Sequence, residues 1–117
     1  SHLNRGKVTI FGCGMGNPFF STDTAAVLRG AEIGADVVLM AKNIDAIYTD
    51  DPRKNPDAKK LSEVDYDYIL KNHLSAIDTC AASFAMDNHM KLHIFGLDDS
   101  ENIYRVIMGE KIGTIVD

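Results

Sequence analysis

The chain has 117 residues, of which 45% are hydrophobic and 25% are charged. This composition is typical of one soluble globular unit and excludes the disordered and fibrous classes of protein. The formal net charge is −5 and the acidic residues are scattered, so no continuous positive surface is present to neutralise a phosphate backbone. We therefore expect one domain that does not bind nucleic acid, although its backbone N–H groups can still hold a small phosphorylated ligand.

Cysteine use and hydropathy indicate the compartment. Cys13 and Cys80 are the only cysteines; they lack CxxC spacing and are too few for a secreted disulfide scaffold. Cys80 is expected to lie in the core. No apolar run approaches the roughly 18 residues of a membrane span, and residues 1–5 lack the apolar core of a signal peptide. These features predict a cytoplasmic protein with no membrane partner.

The first predicted elements are a strand, a glycine-rich loop and a helix. Residues 7–11 form a short run, rich in β-branched side chains, that Gly12 ends. Residues 12–18 contain three glycines and one proline, so the backbone can turn sharply and approach a ligand closely. Residues 21–23 offer N-cap oxygens to a helix that Gly34 can end in a left-handed conformation.

A second strand, a long loop and two helices follow. Residues 37–41 are continuously apolar, which is typical of a parallel strand covered on both faces. Residues 42–60 are rich in turn formers, so we expect a long functional loop anchored by the apolar pair at 47–48. Asp65 can cap a short helix, and a second helix is predicted over about residues 75–87.

The last predicted elements are a strand, a helix and a final strand. Residues 92–95 are predicted to form the third strand. Asp98 or Asp99 can cap the helix after it, and Gly109 can end that helix. Residues 112–116 complete the pattern as a strand.

This order of elements predicts the α/β fold class, a three-layer sandwich with a mostly parallel sheet. In sheets of this kind ligands bind beyond the carboxyl ends of the strands. The loops after Phe11 and Ala41 both follow predicted strands. We therefore expect the ligand site to lie between these two loops.

The glycine-rich loop matches neither of the two common phosphate motifs. No Lys-Ser or Lys-Thr follows Gly16, as a Walker A loop requires, and Asn17 stands where a Rossmann fingerprint needs glycine. Residues 14–24 can still present backbone N–H groups and a positive helix end to an anion, while Asn17 supplies a donor and an acceptor. The alternative is a plain strand-to-helix turn with Phe19 and Phe20 in the core.

The same stretch resembles the GTGNPFFTTD signature of bacterial-type UMP kinases, which belong to the amino-acid-kinase superfamily. Further similarity follows in chain order and covers nearly the whole sequence: residues 25–33, 38–43, 48, 51–52, 77–78, 86–88 and 106–114. The resemblance implies an amino-acid-kinase-like partial domain, with residues 1–117 as the carboxy-terminal half of a kinase domain and the amino-terminal half absent.

The resemblance also implies roles for individual residues. It implies that Asn17 and Thr22 make the main side-chain contacts to UMP. The whole stretch implied to line the UMP site is Met15, Gly16, Asn17, Pro18, Phe19, Phe20, Ser21 and Thr22. It implies that Asp23 orients catalytic lysines. It implies ATP contacts for Asn43, Tyr48 and Asp51, with Lys42 as an alternative to Asn43. No metal-ligating residues are expected.

By the same resemblance, the activity is transfer of the ATP γ-phosphate to UMP, with Mg²⁺ as cofactor, in pyrimidine nucleotide biosynthesis. It implies a cytoplasmic homohexamer that responds to GTP and UTP. The lysine and glycine-rich segment that grips the phosphate belongs to the other half of the family's domain, so we expect residues 1–117 alone to be inactive. Met15 replaces the usual threonine, which removes a hydroxyl beside the acceptor.

Two other functions stay open on the sequence. One is a superfamily kinase that acts on an amino acid or on carbamate, against which residues 17–23 argue. The other is a non-catalytic nucleotide-binding or regulatory module. His89 and His93 are four residues apart, but a turn between them is expected to separate their side chains, so we do not expect a metal site there.

Overall fold

The structure is a computed structural model, and it describes residues 8–12 and 22–117, with side chains from residue 23 onward. The predicted acceptor stretch from Met15 to Ser21 lies outside the described residues, and so does Cys13. Of Thr22 only the backbone is described.

The described residues form seven strands and four helices. The strands are β1 (Val8–Gly12), β2 (Val37–Lys42), β3 (Ile47–Tyr48), β4 (Lys60–Leu61), β5 (Glu63–Val64), β6 (Leu92–Gly96) and β7 (Thr114–Val116). The helices are α1 (Thr22–Ile33), α2 (Tyr66–Lys71), α3 (Thr79–Asp87) and α4 (Asn102–Ile107). None of these helices is both long enough and apolar enough to cross a membrane.

Five strands make the main sheet, in the order β1-β2-β6-β7-β5. β1, β2 and β6 run parallel, with Phe11 opposite Met40 and Met40 opposite Ile94. β7 runs antiparallel to β6 and parallel to β5. The prediction of a mostly parallel α/β sheet is therefore confirmed, with β7 as the exception.

Helices cover both faces of this sheet. Side chains of β2 alternate between a large core shared with α1, α2 and α3, which receives Val38 and Met40, and a smaller core shared with α4, which receives Leu39 and Ala41. Every residue of β6 is buried. Burying a side chain such as Met40 contributes about 1.5–3 kcal/mol, which explains why these strands read as unbroken apolar runs.

The helix ends follow local rules, with one shift. Gly34 ends α1 at φ 66°, and the Asp65 carboxylate caps α2 by accepting from the Tyr68 N–H, both as predicted. Gly109, at φ 93°, follows α4, also as predicted. α3 begins at Thr79 with Asp78 as its N-cap, about four residues later than expected.

Two predictions were wrong in detail. The stretch 42–60 is not only loop, because β3 and β4 pair antiparallel within it, with Ile47 opposite Leu61 and Tyr48 opposite Lys60. We call residues 47–61 the β3–β4 hairpin. Cys80, expected in the core, is exposed on α3.

Candidate functional site

A pocket of about 600 Å³ opens at the carboxyl end of β2, between the β3–β4 hairpin and the segment that leads into α3. It lies where a mostly parallel sheet is expected to place a ligand. Its lining residues come from three segments: 42–45, 48–53 and 72–76, with Asp98 beside them. The size is within the range of small-molecule sites.

The best-defined charged contact in this region joins Asp23, in the first turn of α1, to Lys42, the last residue of β2. Lys42 Nζ lies 2.9 Å from Asp23 Oδ2 and also donates to the carbonyl oxygen of Ala76. The side chains are 15% and 8% exposed, respectively. The pair therefore lies in a largely dehydrated environment, where charge interactions are stronger than in water.

Asp23 also receives a backbone donor. The N–H of Asp78, at the start of α3, donates to Asp23 Oδ2 over 2.7 Å. Asp23 Oδ1 is buried and, within residues 8–12 and 22–117, has no hydrogen-bond partner. A buried carboxylate oxygen is normally paired, so this atom is available to one further donor or cation.

A second polar cluster fixes the hairpin to the end of β2. Tyr48 Oη donates to Asp45 Oδ1 over 2.8 Å, and Lys60 Nζ lies 2.7 Å from Asp45 Oδ2. Partial burial opposes ionisation of Asp45, but the hydrogen bonds from Lys60 and Tyr48 outweigh it and lower the pKa of this carboxyl. The same hydrogen bond to Asp45 raises the pKa of Tyr48, and the pKa of Lys60 is raised by its own bond to Asp45.

Asp51 orders the tip of the hairpin. Its Oδ1 accepts from the N–H of Arg53 over 2.9 Å, and its carbonyl oxygen accepts from the N–H of Asn55 over 2.8 Å. The hydrogen bond from the Arg53 backbone is the main reason that the pKa of Asp51 lies below its usual value. Asp51 is thus held as a charged group at the rim of the pocket.

The structure brings together the residues expected at one half of the site. Asn43, Tyr48 and Asp51 all line the same pocket, and so does Lys42. Asp23 is connected to this pocket through Lys42. The expected acceptor residues Met15 to Ser21 lie outside the described part of the chain.

Some residues of the site were not singled out from the sequence. Asp45 contacts both strands of the hairpin, and Asp78 meets Asp23 from α3, 55 positions away in sequence. An aspartate directly before a helix is a local capping signal, so Asp78 could have been found as an N-cap. The link from Asp78 to Asp23 depends on tertiary packing and has no local signal.

The described acidic and histidine side chains do not gather into a metal centre. In the part of the chain that the structure describes, no group of three or more His, Cys, Asp or Glu residues is arranged to hold a metal ion. His93 is buried, and its Nε2 lies 2.6 Å from the carbonyl oxygen of Ile112. A carbonyl oxygen only accepts, so Nε2 carries the proton and donates.

The chain matches one protein family by sequence and several solved structures by fold. Residues 1–96 match the model of the Amino acid kinase family. The fold is similar to UMP kinase from Bacillus anthracis, at 24% identity and TM-score 0.78, over 97% of this chain and 59% of that one. It is similar to UMP kinase from Ureaplasma parvum, at 26% identity and TM-score 0.76, over 99% of this chain and 62% of that one.

A third similar structure is uridylate kinase from Archaeoglobus fulgidus, at 28% identity and TM-score 0.71, over 84% of this chain and 47% of that one. The chain thus spans less than two thirds of the length of each of these three proteins. The family model covers most of the sequence, and the sheet and helices have the architecture of these kinases. The chain belongs to the amino acid kinase family.

Proposed function

We propose that this chain forms the nucleotide-binding part of a kinase that transfers the γ-phosphate of ATP to UMP, giving ADP and UDP. The observation that carries the proposal is the Asp23–Lys42 pair beside a pocket lined by Asn43, Tyr48 and Asp51. Similarity to three kinases of UMP supports the choice of acceptor. In this proposal residues 1–117 correspond to the carboxy-terminal half of the kinase domain, and the complete activity belongs to the whole protein.

ATP is proposed to occupy the pocket of about 600 Å³. Tyr48 offers an aromatic ring to the base, since stacking on an aromatic side chain suits any nucleobase. Asn43 offers both a donor and an acceptor, and the Lys42 ammonium is a fixed positive charge near the phosphates. Mg²⁺ would accompany the ATP phosphates, a mode of binding that uses one or two protein carboxylates.

UMP is proposed to lie against residues 15–22, next to Asp23. Transfer of a phosphoryl group depends mainly on positioning and on neutralising charge in the transition state. Asp23 would serve this by holding Lys42 on Oδ2 and accepting a second cation on Oδ1. We propose that this second cation is a lysine from the other half of the kinase domain, so that residues 1–117 alone do not turn over substrate.

The wider properties of the proposal follow from the family resemblance of the sequence. A homohexameric assembly, a cytoplasmic location, a place in pyrimidine nucleotide biosynthesis and regulation by GTP and UTP are proposed for the whole protein.

The proposal is tested by a thermal-shift screen of acceptors in the presence of a non-hydrolysable ATP analogue and Mg²⁺. We expect UMP to raise the melting temperature, and glutamate, aspartate and carbamate to leave it unchanged, because only a ligand that binds the folded state stabilises it. A rise with an amino acid or carbamate and none with UMP overturns the choice of acceptor. Phosphoryl transfer by the whole protein then separates a kinase from a module that only binds nucleotides.

A further inference from the structure

One buried hydroxyl of the main sheet contacts both strands of the β3–β4 hairpin. Thr114, the first residue of β7, is fully buried. Its Oγ1 lies 2.8 Å from the backbone nitrogen of Ile47, and it also bonds to the carbonyl oxygen of Leu61. Ile47 and Leu61 are cross-strand partners, so a single side chain contacts both strands of the hairpin.

The chemistry of the three groups fixes the direction of both hydrogen bonds. A backbone N–H only donates and a carbonyl oxygen only accepts, whereas a hydroxyl does both. Thr114 therefore accepts from Ile47 and donates to Leu61. No apolar side chain can replace it without losing both hydrogen bonds, and the bond to Ile47 is fully buried.

The backbone around Thr114 explains why it can reach the hairpin. Gly113 has φ 73°, and a Cβ at this position would overlap the carbonyl oxygen of Ile94 on β6. β7 thus enters the sheet in close contact with β6. Ile115, which follows Thr114 in β7, donates its N–H to the carbonyl oxygen of Ser62 over 3.0 Å. Ser62 lies between β4 and β5.

The contacts of the hairpin extend from this hydroxyl to the pocket. Ile47 is fully buried in the large core shared with α1, α2 and α3, and Tyr48 follows it directly and lines the pocket. The Thr49 N–H donates to the carbonyl oxygen of Lys59 over 2.9 Å, which continues the pairing toward Asp51 at the tip. A shift at Ile47 is therefore passed to Tyr48 and Asp51.

We propose that Thr114 is a positioning residue for the ATP half of the site, which acts by holding the hairpin that carries Tyr48 and Asp51 against β7. The inference rests on the proposed function, because it assigns ATP to this pocket. Thr114 itself does not line this pocket.

The test compares three variants in the whole protein by titration with a fluorescent ATP analogue and, separately, with UMP. Thr114→Val keeps the shape and removes the hydroxyl, whereas Thr114→Ser keeps the hydroxyl. Val116→Ala removes buried packing from the same strand, at a residue that bonds to neither strand of the hairpin. We expect Thr114→Val to lower the affinity for the ATP analogue about tenfold and to leave the affinity for UMP unchanged within about twofold. Thr114→Ser should keep most of the wild-type affinity for the ATP analogue.

The outcomes distinguish a failure of the Thr114 inference from a failure of the proposed function. If the wild type binds the ATP analogue and Thr114→Val binds it equally well, this inference is wrong and the proposed function stands. Equal weakening of both ligands, or equal loss in Val116→Ala, also overturns it, because general destabilisation then explains the effect. If the wild type binds no ATP analogue, the proposed function fails and the inference fails with it.

A measurement on the unchanged protein covers the case in which Thr114→Val does not fold. Hydrogen exchange at the Ile47 amide reports the bond to Thr114 directly. We expect the ATP analogue to slow exchange at Ile47 and Thr49 more than at Ile115. Equal protection at all three amides, or none, contradicts a hairpin that is held from β7 and used by the nucleotide.

Discussion

Lys42 Nζ lies 2.9 Å from Asp23 Oδ2, with both side chains largely buried. This ion pair joins the start of α1, where the predicted acceptor loop ends, to the end of β2, where the pocket begins. Asp78 adds the start of α3 to the same carboxylate. The two halves of the proposed site thus share one charged centre.

Removal of the charge on Asp23 is expected to destabilise the fold. In Asp23→Asn, Lys42 keeps its buried ammonium but loses its counter-charge, and breaking such a pair costs about 3–5 kcal/mol. Urea unfolding followed by circular dichroism measures the loss in free energy of unfolding.

The matched control is the double variant Asp23→Asn with Lys42→Met. It removes both charges, so we expect it to recover more than half of the lost stability. A coupling free energy below about 0.5 kcal/mol in the double-mutant cycle is the result that contradicts a buried, interacting pair.

The hydrogen bond between Tyr48 and Asp45 makes a prediction about pH. Because the phenol donates to a carboxylate, the pKa of Tyr48 lies above 10.0. In Asp45→Asn the negative charge is gone, so we expect this pKa to fall toward 10.0. Tyrosine ¹³Cζ shifts recorded across an alkaline titration measure it, with Tyr48→Phe to assign the signal.

The raised pKa of Tyr48 determines how its contribution to folding stability changes with pH. A group whose pKa is higher in the folded state contributes stability that is present below its unfolded pKa and lost as the pH rises through the folded value. The contribution of Tyr48 is therefore complete below about pH 10 and disappears above it. A Tyr48 pKa that does not move in Asp45→Asn is incompatible with the observed contact.

Two helix caps offer a matched comparison. The Asp78 carboxylate caps α3 and the Asp65 carboxylate caps α2, and each loses one backbone hydrogen bond on replacement by alanine. We expect each variant to lose about 1 kcal/mol of stability in urea unfolding. Only Asp78→Ala should also weaken binding of the ATP analogue and UMP, because of these two caps only Asp78 contacts Asp23, through its backbone N–H.

In this comparison Asp78→Ser is the restoring variant, since serine is also a good N-cap. Equal ligand affinities in Asp78→Ala and Asp65→Ala count against a role of the α3 start in the site.

Two glycines with the same sign of φ are expected to respond differently to alanine. Gly34 has φ 66°, and the space that a methyl group would enter there is open, so Gly34→Ala should cost only about 1–2 kcal/mol of conformational energy. Gly113 has φ 73°, and a methyl group there meets the carbonyl oxygen of Ile94. We expect Gly113→Ala to lose clearly more stability than Gly34→Ala in urea unfolding, and equal losses contradict the close approach of β7 to β6.

The features that could be predicted from the sequence are those with a local cause. The apolar run at 37–41, the cap at Asp65 and the glycines at 34 and 109 each act within a few residues, and the structure confirms all of them. The α/β class follows from their order, and it is confirmed as well.

The features that could not be predicted depend on contacts between distant segments. β3 and β4 are two residues each, too short for a periodic pattern, and they are held by Thr114 from 53 or more positions away. The antiparallel direction of β7 has no signature in its own three residues. For the candidate site, the grouping of Asn43, Tyr48 and Asp51 came from a family resemblance, and all three line one pocket.

The most direct test of the account is a map of backbone amide shifts in the ¹⁵N spectrum of the protein, with UMP and an ATP analogue added in turn. We predict that UMP shifts amides between Met15 and Asp23, and that the ATP analogue shifts those of Asn43, Tyr48 and Asp51. Amides between Met15 and Asp23 that do not respond to UMP, or a response to both ligands at the same residues, would contradict two adjoining nucleotide sites that meet at Asp23 and Lys42.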